Sequence, residues 1–281
     1  MNELSVIHPE RAAPVSQRRG ASRGGDRELV QAAEQVLGHS DFEDVLQLSR
    51  RGGLALIHHE GELRVFKFIS CQADWKKRWA RRIGWNPARR AHRMSRALSD
   101  AGILVCPVEQ HGTVKLDTAP RAVWTISRYV EYGLTLRQLK EKTQPGRRSP
   151  SHPMVQEMFT AAISLLRRLH DAGFEHRDYH AGNLLVTAIK GEEITQGNAQ
   201  LHLVDLETVM QREVDAVRRS RDLSRFLDNF VEPEDYRQVI DQALADYAPD
   251  KPSLLKSILA TRRMNGLLAK KGIRDRDREE F

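Results

Sequence analysis

Glu175-His176-Arg177-Asp178-Tyr179-His180-Ala181-Gly182-Asn183-Leu184-Leu185-Val186 decides how the rest of the chain is read. It carries the pattern H-R-D-x-x-x-x-N and runs on into an apolar, strand-like stretch. A second apolar stretch ends in acid: Leu201-His202-Leu203-Val204-Asp205-Leu206-Glu207. Phosphoryl transfer asks for this layout, because it depends chiefly on positioning and on neutralising charge. One carboxylate must face the nucleophile, and a separate amide and carboxylate must face a metal ion. Asp178 fits the first duty, accepting the proton of a substrate hydroxyl. Asn183 and Asp205 fit the second, holding Mg2+ on the phosphates of ATP. A lone H-x-D carries little weight, since a loop aspartate is commonly a turn or cap residue. The Asp-to-Asn spacing and the two flanking strands supply the weight here.

The bulk properties are those of an ordinary water-soluble fold. A chain of 281 residues can bury a proper core as one large domain or two lobes. Cys71 and Cys106 are far apart and show no ligand spacing, so neither a zinc site nor a disulfide framework is expected, and a reducing cytoplasm fits. No stretch is apolar enough for a membrane span or a signal core. The net charge of +7 favours an anionic partner such as a nucleotide, a phospholipid surface, a phosphorylated glycan or nucleic acid. The charge is concentrated. Trp75 to Arg96 holds nine basic residues and no acid, with Trp75, Trp79 and Trp85 interleaved. That composition suits an anionic inner-membrane surface, and it equally suits burial of the indoles against a sheet.

Upstream of the catalytic stretch, residues 1–27 read as a disordered basic tail. Glu28 to Leu37 has helical apolar spacing. Strand-like runs follow over Phe42–Leu48, Leu54–His58 and Leu63–Ile69. The last two are joined by His59-Glu60-Gly61-Glu62, a hairpin signal. The loop before the second strand ends in Gly52-Gly53, where backbone amides could approach nucleotide phosphates; it is not G-x-G-x-x-G, and an ordinary hairpin turn reads the same way. Lys67 lies inside the third strand, in Val65-Phe66-Lys67-Phe68-Ile69. An ammonium there needs a partner, and the position matches the V-A-I-K lysine that meets ATP phosphates. A helix is predicted over Asn86–Asp100, then a strand beginning within Ile103–Val108, and another over Ala122–Tyr129. Val130 to Gly133 falls where a hinge would stand. A short helix over Leu134–Lys142 and a strongly amphipathic one through Val155, Met158, Phe159, Ala162, Leu165, Leu166 and Leu169 follow. Lys190 to Gln200 reads as a polar hairpin, and the chain beyond Asp205 reads as helical with breaks at its prolines.

Three segments carry a family resemblance: Leu166-x-x-Leu169-His170-x-x-Gly173-Phe174-x-His176-Arg177-Asp178, Asn86-Pro87-Ala88-Arg89-Arg90-Ala91-His92-Arg93 leading to Ala101-Gly102-Ile103-x-x-x-Pro107, and Arg221-Asp222-Leu223-Ser224-Arg225-Phe226-Leu227. Over Phe42 to Phe230 the chain resembles the bacterial lipopolysaccharide-core kinases, the heptose/Kdo kinase family. The resemblance implies an α+β, bilobal protein-kinase-like fold. Residues 28–130 would form a small β-rich N-lobe, and residues 131–281 a larger, mainly helical C-lobe with the catalytic and metal loops. It implies a cytoplasmic enzyme at the inner face of the inner membrane. The enzyme would use ATP and Mg2+ to phosphorylate a sugar hydroxyl, heptose or Kdo, of the glycolipid core. Asp178 would be the base, Asn183 and Asp205 metal ligands, and Lys67 the phosphate lysine. His180 takes the place of the catalytic-loop lysine of protein serine/threonine kinases, and is either a contact to the γ-phosphate or a structural loop histidine. Glu207 stands where D-F-G has glycine, as a further metal ligand or as a carboxylate at a helix start.

The chain departs from the pattern in the helix that normally supplies the lysine's acidic partner: Arg89 to Ser99 contains no acid. The stretch from Asp205 to Asp222 is short and lacks A-P-E, so it offers no peptide platform. A sugar, glycolipid or small alcohol is therefore the expected acceptor. A soluble kinase of the aminoglycoside or choline type is the alternative enzyme, and a pseudokinase scaffold the non-enzymatic one. No nucleic-acid-reading module is present in the sequence.

Overall fold

The computed structural model describes residues 23–49, 52–70, 86–116, 122–131, 134–146, 150–188, 194–228, 230, 236–248, 253, 255–257 and 260. The disordered reading of residues 1–22, Cys71, the tryptophan-rich part of the basic segment (71–85) and the hinge residues Tyr132 and Gly133 lie outside these. The described chain mixes helices and sheets in two compact bodies. The first body runs to Glu131 and includes Leu203–Thr208. The second takes the remaining residues from 134 to His202 and from Val209 on.

The first body is built on a five-stranded antiparallel sheet of β1 (Phe42–Ser49), β2 (Gly52–His59), β3 (Glu62–Ile69), β4 (Val108–Val114) and β5 (Ala122–Arg128), in the order β1-β2-β3-β5-β4. The β2–β3 hairpin turns at Glu60 and Gly61, both with positive φ. This is the two-residue turn whose twist matches the strands. Helix α1 (Arg23–Leu37) lays Leu29, Ala32 and Ala33 on Phe66, Phe68, Ile57 and Ile126. It begins at Arg23, so residues 23–27, expected in the tail, form its first turn. Because side chains alternate along a strand, Phe66 and Phe68 face α1 and Lys67 faces the opposite side.

Helix α2 (Pro87–Asp100) is capped by Asn86, whose side chain accepts from the Arg89 amide at 3.0 Å, with proline at its first position. It packs on β4 and on a short 3-10 turn, Leu206–Thr208. Ser95 fastens the first contact by accepting from the Val108 amide at 3.2 Å. Arg89, Arg93 and Arg96 are exposed on its outer side. The strand expected to begin within Ile103–Val108 starts at Val108. Residues 103–107 contribute one isolated parallel bridge, Val105 to Leu203, because Pro107 has no N–H to continue a ladder.

In the second body, β6 (Leu134–Thr135), β8 (Leu184–Thr187) and β9 (Gln200–Leu203) form one small sheet, and β7 (Phe174–Glu175) pairs with β10 (Met210–Gln211). The short helix α3 (Leu136–Thr143) carries a capping box between Thr135 and Gln138. The long α4 (Pro153–Asp171) buries its apolar stripe, as its spacing requires. Helices α5 (Ala216–Asp228) and α6 (Tyr236–Tyr247) complete the body. The chain after Asp205 is thus not helical at once: β10 intervenes before α5. Phe159, Phe226 and Phe230 stack at 5.3–5.5 Å between centroids and tie α4 to α5.

Candidate active site

The first body gathers three of the residues singled out in the sequence. Lys67 Nζ donates to Oδ1 of Asp205 at 2.5 Å and to Oε1 of Glu207 at 2.7 Å. The bridge from Leu203 to residues 104–105 brings this about, since the Leu203 amide donates to the Leu104 carbonyl at 2.9 Å and Asp205 follows two residues later. Asp205 has φ +63, a left-handed conformation unusual for a residue with a side chain. Such conformations persist where surrounding contacts over-determine them. Burial works against the Lys67 ammonium, but Glu207 and Asp205 outweigh it and hold its pKa above the ordinary lysine value. Burial raises the Glu207 carboxyl above its usual range, and Lys67 only partly offsets this. The acid missing from Arg89–Ser99 is therefore supplied by the segment that carries Asp205.

Gly52 and Gly53 lie inside β2, opposite Ile69 and Phe68. A Cβ on Gly52 would stand 2.1 Å from the Phe68 carbonyl oxygen, and one on Gly53 would stand 2.7 Å from the Phe68 ring. Glycine at these positions answers a packing need within the sheet.

The second body holds Asp178, His180 and Asn183. Arg177, just before Asp178, also takes a left-handed φ of +69. Its conformation is fixed from α5. Asp222, almost wholly buried, accepts from the amides of His176 at 2.8 Å and Arg177 at 2.9 Å. Asp222 also meets Nε2 of His170 at 3.2 Å, and His170 Nδ1 pairs with the Tyr247 hydroxyl. Burial pushes against the Asp222 charge, yet the bond to His170 and the His176 amide leave its carboxyl below the ordinary range. Tyr179 is fully buried and donates to the Ala162 carbonyl at 2.7 Å. Asp178 itself is half-exposed, with Oδ1 accepting from Arg225 Nη1 at 2.8 Å. The Asn183 side-chain NH2 donates to the Asp178 carbonyl at 3.0 Å, which leaves its Oδ1 as the group able to meet a cation. His180 caps the turn at residues 181–183: its Nδ1 accepts from the Gly182 amide at 3.1 Å, and Nε2 lies 3.7 Å from Asp178 Oδ2. Glu175, with no exposure, is held by Arg212 at 2.8 Å and Arg221 at 3.2 Å. The sequence pointed to the Arg221-Asp222 segment without revealing these duties. An acid on the buried face of an amphipathic helix was the available signal.

Asp205 and Glu207 in the first body, and Asn183 in the second, each carry oxygen donors of the kind that a hard cation such as Mg2+ takes. No group of three or more metal-binding side chains occurs within one cluster of the described residues.

The model of the lipopolysaccharide kinase (Kdo/WaaP) family matches residues 66–247. No curated protein matches the chain. Among solved structures, that of WaaP in complex with acyl carrier protein is similar, with a TM-score of 0.51 and 19% identity over 80% of this chain and 84% of that one. At this identity the likeness speaks for the fold.

Proposed function

Because the chain belongs to the lipopolysaccharide kinase (Kdo/WaaP) family, and so is a phosphotransferase acting on a sugar hydroxyl, we propose that it transfers the γ-phosphate of ATP to a heptose or Kdo hydroxyl of the lipopolysaccharide core. The two bodies are then the small and large lobes of a protein-kinase-like fold. The observation that carries the reading is the grip of Asp205 and Glu207 on Lys67. A lysine held fully charged beside a metal-type carboxylate is what a triphosphate requires.

Lys67 would hold the nucleotide phosphates, with Gly52 and Gly53 on the hairpin that covers them. Asn183, Asp205 and Glu207 would hold Mg2+, which neutralises charge on the phosphates when bound. Asp178 receives the proton of the acceptor hydroxyl as that oxygen bonds the γ-phosphorus and the bridge to ADP breaks. His180 stays near Asp178 as a loop cap with reach to the transferring phosphate. Exposed Arg89, Arg93 and Arg96 on α2 support peripheral contact with the anionic cytoplasmic face of the inner membrane. No helix among the described residues is long and apolar enough to cross it.

Mass spectrometry of core oligosaccharide from cells with and without the protein tests this. One phosphate is expected to vanish from the core and to return with the wild-type gene but not with Asp178→Ala. An unchanged core would overturn the reading.

A further inference from the structure

We infer that Arg225 positions the reacting carboxylate of Asp178, tying up Oδ1 so that Oδ2 is the oxygen presented to the acceptor hydroxyl. The inference deepens the proposed function and rests on it.

Asp222 and Arg225 are three residues apart on α5, hence on one side of the helix. Both reach the catalytic loop, and they grip it differently. Asp222 takes the backbone amides of His176 and Arg177 and never touches a reacting group. Arg225 Nη1 donates to the Arg177 carbonyl and, at 2.8 Å, to Asp178 Oδ1. One guanidinium therefore references the side chain of Asp178 to the backbone of the residue before it.

A free aspartate carboxylate turns over a broad, two-fold torsional well. A guanidinium on one oxygen removes that freedom and makes the two oxygens unequal. Oδ2 lies 3.7 Å from His180 Nε2, beyond hydrogen-bond range, and among the described residues it accepts no hydrogen bond. Stability alone does not explain the pair. Its side chains are 46% and 35% exposed, and ion pairs at such sites contribute little. Orientation is what the contact supplies, and a misplacement of about 1 Å at a reacting group can cost on the order of 100-fold in rate.

The test follows labelled phosphate from ATP onto lipopolysaccharide extracted from cells that lack the protein, with Mg-ATP affinity measured separately by calorimetry. Arg225→Met should lower kcat roughly 10- to 100-fold while Mg-ATP affinity and KM for ATP stay within about two-fold. In an Asp178→Asn background the same change should alter the residual rate by less than about two-fold, because the arginine acts through that carboxylate. Should Arg225→Met not fold, as judged by circular dichroism, Arg225→Gln is read by the same criteria. Three results each overturn the inference: a near-normal kcat in a folded variant, a loss of ATP affinity as large as the loss of kcat, or an equal loss in the Asp178→Asn background. A wild-type protein that moves no phosphate onto the lipopolysaccharide would instead overturn the proposed function.

Discussion

Nζ of Lys67 lies 2.7 Å from Oε1 of Glu207 across a sequence separation of 140 residues. The contact replaces one that kinase-like chains take from a helix. Arg89 to Ser99 of α2 holds no carboxylate to order the lysine, and the Leu206–Thr208 turn packed against α2 provides one instead. The same lysine meets Asp205 at 2.5 Å. One ammonium thus holds two carboxylates of a single turn at a fixed spacing.

Glu207→Gln is expected to lower kcat/KM for Mg-ATP by roughly 10-fold or more, the scale lost with a single charge-stabilising group, and to raise the Mg2+ concentration needed for half-maximal rate. The double variant with Lys67→Met should be little worse than Lys67→Met alone, because the two side chains act as one unit. A magnesium titration of the wild type and these variants is the measurement. Wild-type behaviour of Glu207→Gln would remove the residue from the site.

Asp222→Ala leaves two backbone amides and His170 without their acceptor in a buried setting. Each lost hydrogen bond to a charged group is worth about 1.5–3 kcal/mol, so the fold should lose about 3 kcal/mol or more. Urea unfolding measures this. A midpoint unchanged from wild type would contradict the clamp.

Local patterns were legible in the sequence, and long-range pairs were not. The β2–β3 hairpin followed from Glu60-Gly61, and α4 from its apolar stripe, because both depend on neighbours a few residues apart. The strand expected to begin within Ile103–Val108 begins at Val108, after Pro107, whose missing N–H marked the irregularity in the sequence. Arg23 to Arg27 looked like tail because arginine and glycine carry no apolar period, yet they begin α1. At the candidate site, Asp178, Asn183, Asp205 and Lys67 stood out by spacing and by a charge inside a strand. Their pairings did not, even with Glu207, which the sequence had also singled out. Arg225 is 47 residues from Asp178, Asp222 is 52 from His170, and Glu207 is 140 from Lys67. No periodicity spans such distances; folding alone creates them.

Cys106 is a free thiol whose pKa burial pushes up to about 12. Thiolate is the reactive form, and an ordinary cysteine ionises near ~8.5. Iodoacetamide at pH 7.5 should therefore label Cys106 at least ~100-fold more slowly in the native protein than in urea, read by peptide mass spectrometry. Equal rates would show that the β4 side of the first body opens readily.

Acid should destabilise the protein well above the carboxylate range. Burial lowers the pKa of His170 despite Asp222 beside it. His92 is lowered by burial, then by His111 and Arg96. A histidine with a lowered folded pKa binds protons more readily in the unfolded chain, so stability rises with pH across its window. That contribution is complete above the ordinary value of ~6.5 and is lost as pH falls toward the folded value. Asp222, also lowered, adds a second loss beginning near ~3.9. Each histidine can contribute a slope of at most about 1.4 kcal/mol per pH unit. Melting temperatures from pH 8 to pH 5 should fall below about pH 6.5, and the fall should be shallower in His170→Gln than in wild type, whatever that variant's absolute stability. A protein that grew more stable between pH 7 and pH 5.5 would place a charged imidazole, and not a neutral one, between Tyr247 and Asp222.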